Sequence, residues 1–458
     1  MLKLHKKILL IVFSFSFSTL VFSIDKKMEE KIEKTLDQHV LENGTAGQVV
    51  GVIDGEYSKV FVSGYKDLET KELLTGDELF SIGSVSKTFT ALLLSIAESK
   101  GYLNEKGTKS KVKDYLSELE GYPAGEITLE SLAIHTSGLP RSPEVGSSFD
   151  PYKDYTKASL IKQLKDIEKL EAGNYSYSNF GYALLGLCLE KIFNQDFSDA
   201  TKNEILSPLK ISDFYVSVDD TYLERIPPKY NQVFEKLPVW KNLGAMNPAG
   251  SFKATAIEML KYAKAVMNPK ATTLEKELIK ASKPIFTKKD GSKRSLSFEI
   301  LSINGEDYLF HNGYTLGFIT NLYISQKYKK VLLQMSASDT ITPCIPAIFF
   351  KASTNCKTAK FETISKEEQV EYIGTYADID KEIPESIKNI NIRASSYGFM
   401  IWDRGNPLRL YPASKDQFIF SDERLGSLSV KFERDETGEI SSLKLIDGTK
   451  VSSKADKL

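Results

Sequence analysis

Phe80-Ser-Ile-Gly-Ser-Val-Ser-Lys-Thr-Phe-Thr-Ala-Leu-Leu-Leu-Ser-Ile-Ala97 carries the sharpest local signal in the chain. Phe89, Ala91, Leu92, Leu93, Leu94, Ile96 and Ala97 make the helix expected over residues 86–99 apolar nearly all round. Such a helix belongs inside a core rather than on a surface. Gly83 suits a tight strand-to-helix turn ahead of it. Ser84 and Lys87 stand three residues apart, so they share a helix face and Lys87 Nζ can reach Ser84 Oγ. A helix N-terminus stabilises a developing alkoxide. A lysine in apolar surroundings tends to lose its proton and can serve as a base. Free N–H groups at the helix start can help to bind an oxyanion. The competing structural reading is a serine N-cap followed by an exposed lysine, since Ser-x-x-Lys alone is common by chance.

Two further groups lie downstream. Tyr177-Ser178-Asn179 precedes a helix expected over residues 181–194. A tyrosine beside the Ser/Lys pair can carry a proton between nucleophile and leaving group. Asn179 offers both a donor and an acceptor for a substrate amide. Taken alone, the triplet also reads as a turn with a packed tyrosine. His311-Asn312-Gly313 is expected at the end of a strand. Glycine there lets a substrate approach the backbone, and the Tyr314 N–H can be a second oxyanion donor beside that of Ser84. His135, in Ile134-His-Thr-Ser-Gly-Leu139, reads as a structural histidine at a helix end and turn.

Together, in this order and spacing, the three groups resemble the serine β-lactamase and penicillin-binding protein family, most closely its class C branch. Phe80–Phe89 is similar to that branch's nucleophile segment, Tyr177-Ser178-Asn179 to its Tyr-x-Asn box, and His311-Asn312-Gly313 stands in the place of its Lys-Thr-Gly box. Leu132–Pro140, Ser207-Pro-Leu209 and Pro248-Ala-Gly-Ser251 are also family-like, so the resemblance covers roughly residues 30–355. It implies an α/β (α+β) fold, with an antiparallel sheet flanked by helices and an all-helical region. It implies an acyl-enzyme on Ser84, proton work shared by Lys87 and Tyr177, and substrate binding by Asn179, His311, Asn312, Gly313 and the Tyr314 backbone. No metal or cofactor is implied. The third box departs from the pattern by lacking its lysine; His311 is shorter and mostly neutral near pH 7. That favours action on D-amino-acid peptides or small esters over efficient β-lactam hydrolysis. A non-catalytic envelope protein of the same fold would be expected to have lost Ser84, Lys87 or Tyr177, and all three are present.

The rest of the chain frames these groups. It has 458 residues, 41% hydrophobic and 26% charged, enough for two folded units with real cores. A formal net charge of -1 gives no sign of a nucleic-acid partner. Lys3, Lys6 and Lys7 followed by the uncharged run Ile8–Phe22 read as a signal peptide over residues 1–23, and so as export to the periplasm or medium. The run is short for a span of about 20 residues, although an uncleaved anchor is the alternative. Removing residues 1–23 takes away three lysines and no acid, which brings the charge from -1 to -4. An exported chain can pair Cys344 with Cys356, while Cys188 reads as a buried small hydrophobe. Four scattered histidines and no CxxC give no zinc spacing.

Gln48–Ile53 and Lys59–Ser63 read as a hairpin. Residues 157–169 read as a helix, and residues 297–303, 308–311, 318–325 and 330–336 as an antiparallel meander followed by a helix over 341–352. The first domain is expected over residues 24–362. After a polar link near 363–369, residues 367–458 read as a small antiparallel barrel or sandwich, with turns at Asn406-Pro407 and Asp435–Gly438. The expected partner is a small-molecule or peptide substrate. The sequence leaves the oligomeric state open.

Overall fold

The computed structural model describes residues 26–458 apart from 44–45, 146–149, 231–235, 316, 339, 353–364, 379–388, 396–397, 404–405, 423–425, 448–449 and 458. The signal peptide expected over residues 1–23 lies outside the described residues. Among those residues, no helix is long and apolar enough to cross a membrane.

The larger body is built on an antiparallel sheet. Its order runs Tyr57–Ser63, Gln48–Asp54, Lys330–Ser336, Phe318–Ser325, Glu306–Thr315, Glu299–Ile303, Lys293–Arg294 and Phe286–Thr287. Strand alternation explains how it is covered on both faces. Val49 and Ile53 enter one core with the helix Ser86–Ser99, while Val50 and Val52 enter a second core with Ile32, Leu36 and Val40. Those last three residues, four apart, are the buried stripe of the N-terminal helix Lys26–Asn43. The helix Ser86–Ser99 is buried from Ser86 to Ala97. Its hydroxyls are all the same satisfied: Thr88 donates to Val85 O, Thr90 to Pro248 O and Ser95 to Glu277 O.

The second body is a closed eight-stranded antiparallel barrel running from Gly374–Asp378 to Lys450–Lys457. Closure removes the sheet edges that a small β-domain would otherwise expose. Tyr376, Leu410, Phe418, Val430, Phe432 and Leu443 fill it. The bidentate Arg434–Asp416 pair ties the strand Gly426–Arg434 to the turn before Gln417.

Several boundaries differ from the sequence reading. The helix expected over 157–169 is Lys157–Lys165, and the one over 341–352 is Ile345–Phe349. The link is partly helical: Ser365 and Glu368 form a capping box that starts the helix Lys366–Tyr372. Asn406-Pro407 opens the strand Asn406–Ser414 instead of forming a turn. The strand expected over 308–311 runs from Glu306 to Thr315, because pairing with Phe318–Ser325 continues through Gly313↔Thr320 to Thr315↔Phe318. His311, Asn312 and Gly313 therefore lie inside the strand, not at its end. Cys344 is disulfide-bonded and Cys188 is a buried free thiol. Cys356 lies outside the described residues.

Candidate active site

Two glycines let a turn and a strand meet closely. Gly83 adopts φ +51° at the head of the turn Gly83–Val85. A Cβ there would stand 2.7 Å from the Tyr314 nitrogen. A Cβ on Gly313 would stand 1.9 Å from the Ile82 carbonyl oxygen and 3.0 Å from the Ser84 nitrogen. Only residues without a Cβ fit on both sides of this contact. The strand Glu299–Ile303 pairs with Glu306–Phe310 and no further, so His311–Thr315 is uncovered on that side and packs on the Ser84 turn. The Ser84 and Tyr314 nitrogens are thereby brought to one place.

Ser84 is half-buried at the start of the core helix. Lys87 is completely buried. Its Nζ lies 3.0 Å from Ser84 Oγ and donates to the Ala249 carbonyl. Burial pushes the Lys87 amine well below the ordinary lysine range, and the guanidinium groups of Arg141 and Arg294 push it further the same way. Tyr177 hydrogen-bonds to Ser84, and its ring lies 5.0 Å from Lys87 Nζ. Burial pushes the Tyr177 hydroxyl up to about 12. Near neutral pH Tyr177 holds its proton, and Lys87 gives up its own more readily than an ordinary lysine does.

The middle residue of the Tyr177-Ser178-Asn179 triplet fixes the other two. Ser178 Oγ caps the helix Asn179–Phe193 by accepting from the Gly181 N–H at 2.8 Å, and donates to the Pro140 carbonyl at 2.7 Å. His135 holds the segment from below. Its Nδ1 accepts from the Ser178 N–H at 3.1 Å, its carbonyl accepts from the Ser176 N–H, and its ring lies 4.3 Å from that of Tyr177. Fully buried at φ +62°, His135 is pushed well below the usual histidine range by burial and by Arg294. It is a structural residue, as read from the sequence, and it props the tyrosine box.

In the third box His311 is buried and pushed down to about 3, by burial first and then by Arg294 and Lys87. Nδ1–H donates to the Asn312 carbonyl at 2.7 Å, which leaves Nε2 as an acceptor. The box supplies no cation. Asn312 is exposed and, by strand alternation, points to the opposite face from His311 and Gly313.

The sequence reading missed Arg294. This guanidinium is 2% exposed and bonds Glu299 Oε1, the Ser297 carbonyl and the Tyr175 hydroxyl. It sits in a two-residue strand, too short for any periodicity to announce it. The Ala249 carbonyl was also missed, although it lies within the family-like segment Pro248-Ala-Gly-Ser251. Among the described residues no group of three or more His, Cys, Asp and Glu side chains is arranged to hold a metal.

Residues 26–342 match the family model described as Beta-lactamase. The chain is 29% identical over 237 residues to a beta-lactamase of Providencia stuartii, covering 51% of this chain and 59% of that one. It is 29% identical over 212 residues to penicillin-binding protein 4* of Bacillus subtilis (strain 168), covering 44% of this chain and 43% of that one. It thus spans about half the length of these relatives. Among solved structures, a class C beta-lactamase superposes with a TM-score of 0.64 at 20% identity, covering 72% of this chain and 98% of that one. A Beta-Lactamase/D-Alanine Carboxypeptidase from Pseudomonas syringae gives 0.62 at 18% identity, covering 72% and 99%. At these identities the structural likeness speaks for the fold. The family match takes in well over half of the chain and every residue gathered around Ser84, and on it the chain belongs to the Beta-lactamase family.

Proposed function

We propose that the chain is an exported serine hydrolase that forms an acyl-enzyme on Ser84 and acts on a D-amino-acid peptide or small ester. The observation that carries this reading is the buried Lys87 amine 3.0 Å from Ser84 Oγ, pushed by burial well below the ordinary lysine range. Lys87 takes the Ser84 proton as Oγ attacks the substrate carbonyl. The Ser84 and Tyr314 N–H groups receive the developing oxyanion. Tyr177, protonated at neutral pH, gives its proton to the leaving group and regains one from the Lys87 ammonium. Asn179, at the head of the helix, holds the substrate amide. Water then releases the acyl group by the reverse path. Export is supported by the charge and hydropathy pattern of residues 1–23 and by the disulfide at Cys344.

A second reading, a class C-type β-lactamase proper, is favoured by the names of the relatives. The neutral, buried His311 in place of a cation speaks against it. A fluorophosphonate or fluorescent penicillin probe, followed by intact mass analysis of wild type and Ser84→Ala, tests the nucleophile. No Ser84-dependent adduct with any acylating probe would sink the enzyme reading. A panel of short-chain esters, D-amino-acid peptides and β-lactams then ranks substrates. Nitrocefin turnover matching that of dedicated β-lactamases would put β-lactams ahead of peptides and esters.

A further inference from the structure

Tyr175 and Tyr177 each carry two basic side chains against their rings. Lys288 Nζ and the Arg294 guanidinium lie 4.3 and 5.1 Å from the Tyr175 ring. Lys87 Nζ and the Arg141 guanidinium lie 5.0 and 5.1 Å from the Tyr177 ring. Among the described residues one carboxylate serves this group: Glu299 pairs with Lys288 at 2.9 Å and with Arg294 at 2.5 Å. Arg294 and Lys87 are both sealed in the protein.

Arg141 differs from the rest. It is exposed, and among the described residues it has no carboxylate within ion-pair distance. Its backbone is nonetheless anchored. The Arg141 carbonyl accepts from the Asn179 N–H at 2.7 Å and from the Phe180 N–H at 3.4 Å, which anchors the residue to the head of the helix that carries Asn179. The exposed guanidinium lies against the ring of Tyr177, which hydrogen-bonds to Ser84, and around these two tyrosines basic side chains outnumber carboxylates. A guanidinium presents a planar fork of donors matched to a carboxylate.

We propose that Arg141 recognises a carboxylate on the substrate and makes this enzyme selective for anionic substrates. The inference rests on Ser84 being the nucleophile.

Two matched pairs of chromogenic esters test it. In one pair the acyl chain ends in a carboxylate or a carboxamide; in the other the phenol leaving group carries that difference. The measured quantity is the kcat/KM ratio, anionic over neutral, for wild type, Arg141→Leu and Arg141→Lys, with a thermal melt of each variant. Wild type should favour the anionic member of one pair by about tenfold or more, and added salt should shrink that preference. Arg141→Leu should abolish it and Arg141→Lys should keep part of it. The pair that responds tells whether the carboxylate belongs to the acyl or the leaving side. The same ratio in wild type and Arg141→Leu for both pairs overturns the proposal, leaving Arg141 as a prop for the Tyr177 ring that affects both esters alike. Absence of any Ser84 adduct in wild type is a different result, and it overturns the nucleophile assignment itself.

Discussion

Lys87 Nζ reaches Ser84 Oγ at 3.0 Å while donating to the Ala249 carbonyl, so a fully buried amine is aimed at the nucleophile by a backbone oxygen from elsewhere in the chain. Replacement by Met keeps the length and apolar stem but removes the base. Acylation of Ser84 should fall by about a thousandfold, the scale of losing a positioned general base. Lys87→Arg should be as inactive, because a guanidinium keeps its proton. Stopped-flow labelling with a fluorophosphonate reads both.

The depressed Lys87 amine also sets the pH response. Activity needs the neutral amine, so kcat/KM should rise with pH and level off well below 10.5, the ordinary lysine value. The fall on the alkaline side should wait for Tyr177, near 12. In the window between the folded-state value of Lys87 and 10.5, the unfolded chain binds one proton more than the folded one. Stability should therefore gain from rising pH there, and Lys87→Met should flatten that slope in urea titrations.

His311 acts with the same sign in a lower window. It is held near 3 in the fold, against an ordinary value of 6.5, so the unfolded chain binds the extra proton between these limits. Stability should fall as pH drops from 6.5 toward 3, and His135 adds to the loss in the same direction. His311→Gln should reduce the acid sensitivity of the denaturation midpoint. An unchanged midpoint-versus-pH curve would show that His311 already titrates normally in the fold.

Gly313→Ala places a methyl group against the Ile82 carbonyl, 1.9 Å from an oxygen that belongs to backbone and cannot rotate away. The strand must lift off the Ser84 turn, which separates the Ser84 and Tyr314 nitrogens. The expected loss is about a hundredfold or more in acylation rate, as when one oxyanion donor is removed. Circular dichroism should show the fold retained.

Among the described residues the barrel shares no core residue with the larger body, and it closes on itself. A chain lacking residues 367–458 should fold and still be acylated by small probes. A change confined to larger substrates would assign the barrel to substrate range. Loss of cooperative melting would make it a structural part of the larger body.

The core helix was legible because a run of apolar residues leaves it no exposed face, and its limits, Ser86–Ser99, matched the reading from sequence. The hairpin Gln48–Ser63 and the strands Phe318–Ser325 and Lys330–Ser336 were legible from alternation and turn residues. The N-terminal helix escaped notice although Ile32, Leu36 and Val40 carried its period among many charges. The two-residue strand of Arg294 is too short to carry any period. The third box was placed at a strand end because polar His311 and Asn312 break the apolar pattern, while the backbone pairing that carries the strand to Thr315 is indifferent to side chains.

By itself the sequence determined which residues could do chemistry. The spacing of Ser84 and Lys87 on one helical turn is a local property of the chain, and so is the cap that Ser178 gives to the helix of Asn179. Only the tertiary structure decided the protonation states. Lys87 is pushed well below the ordinary lysine range because it is sealed in the protein beside Arg141 and Arg294, and His311 cannot replace a cation because the same guanidinium of Arg294 and the same kind of burial oppose its charge. Desolvation and through-space charge depend on what surrounds a group, and those surroundings come from segments far apart along the chain.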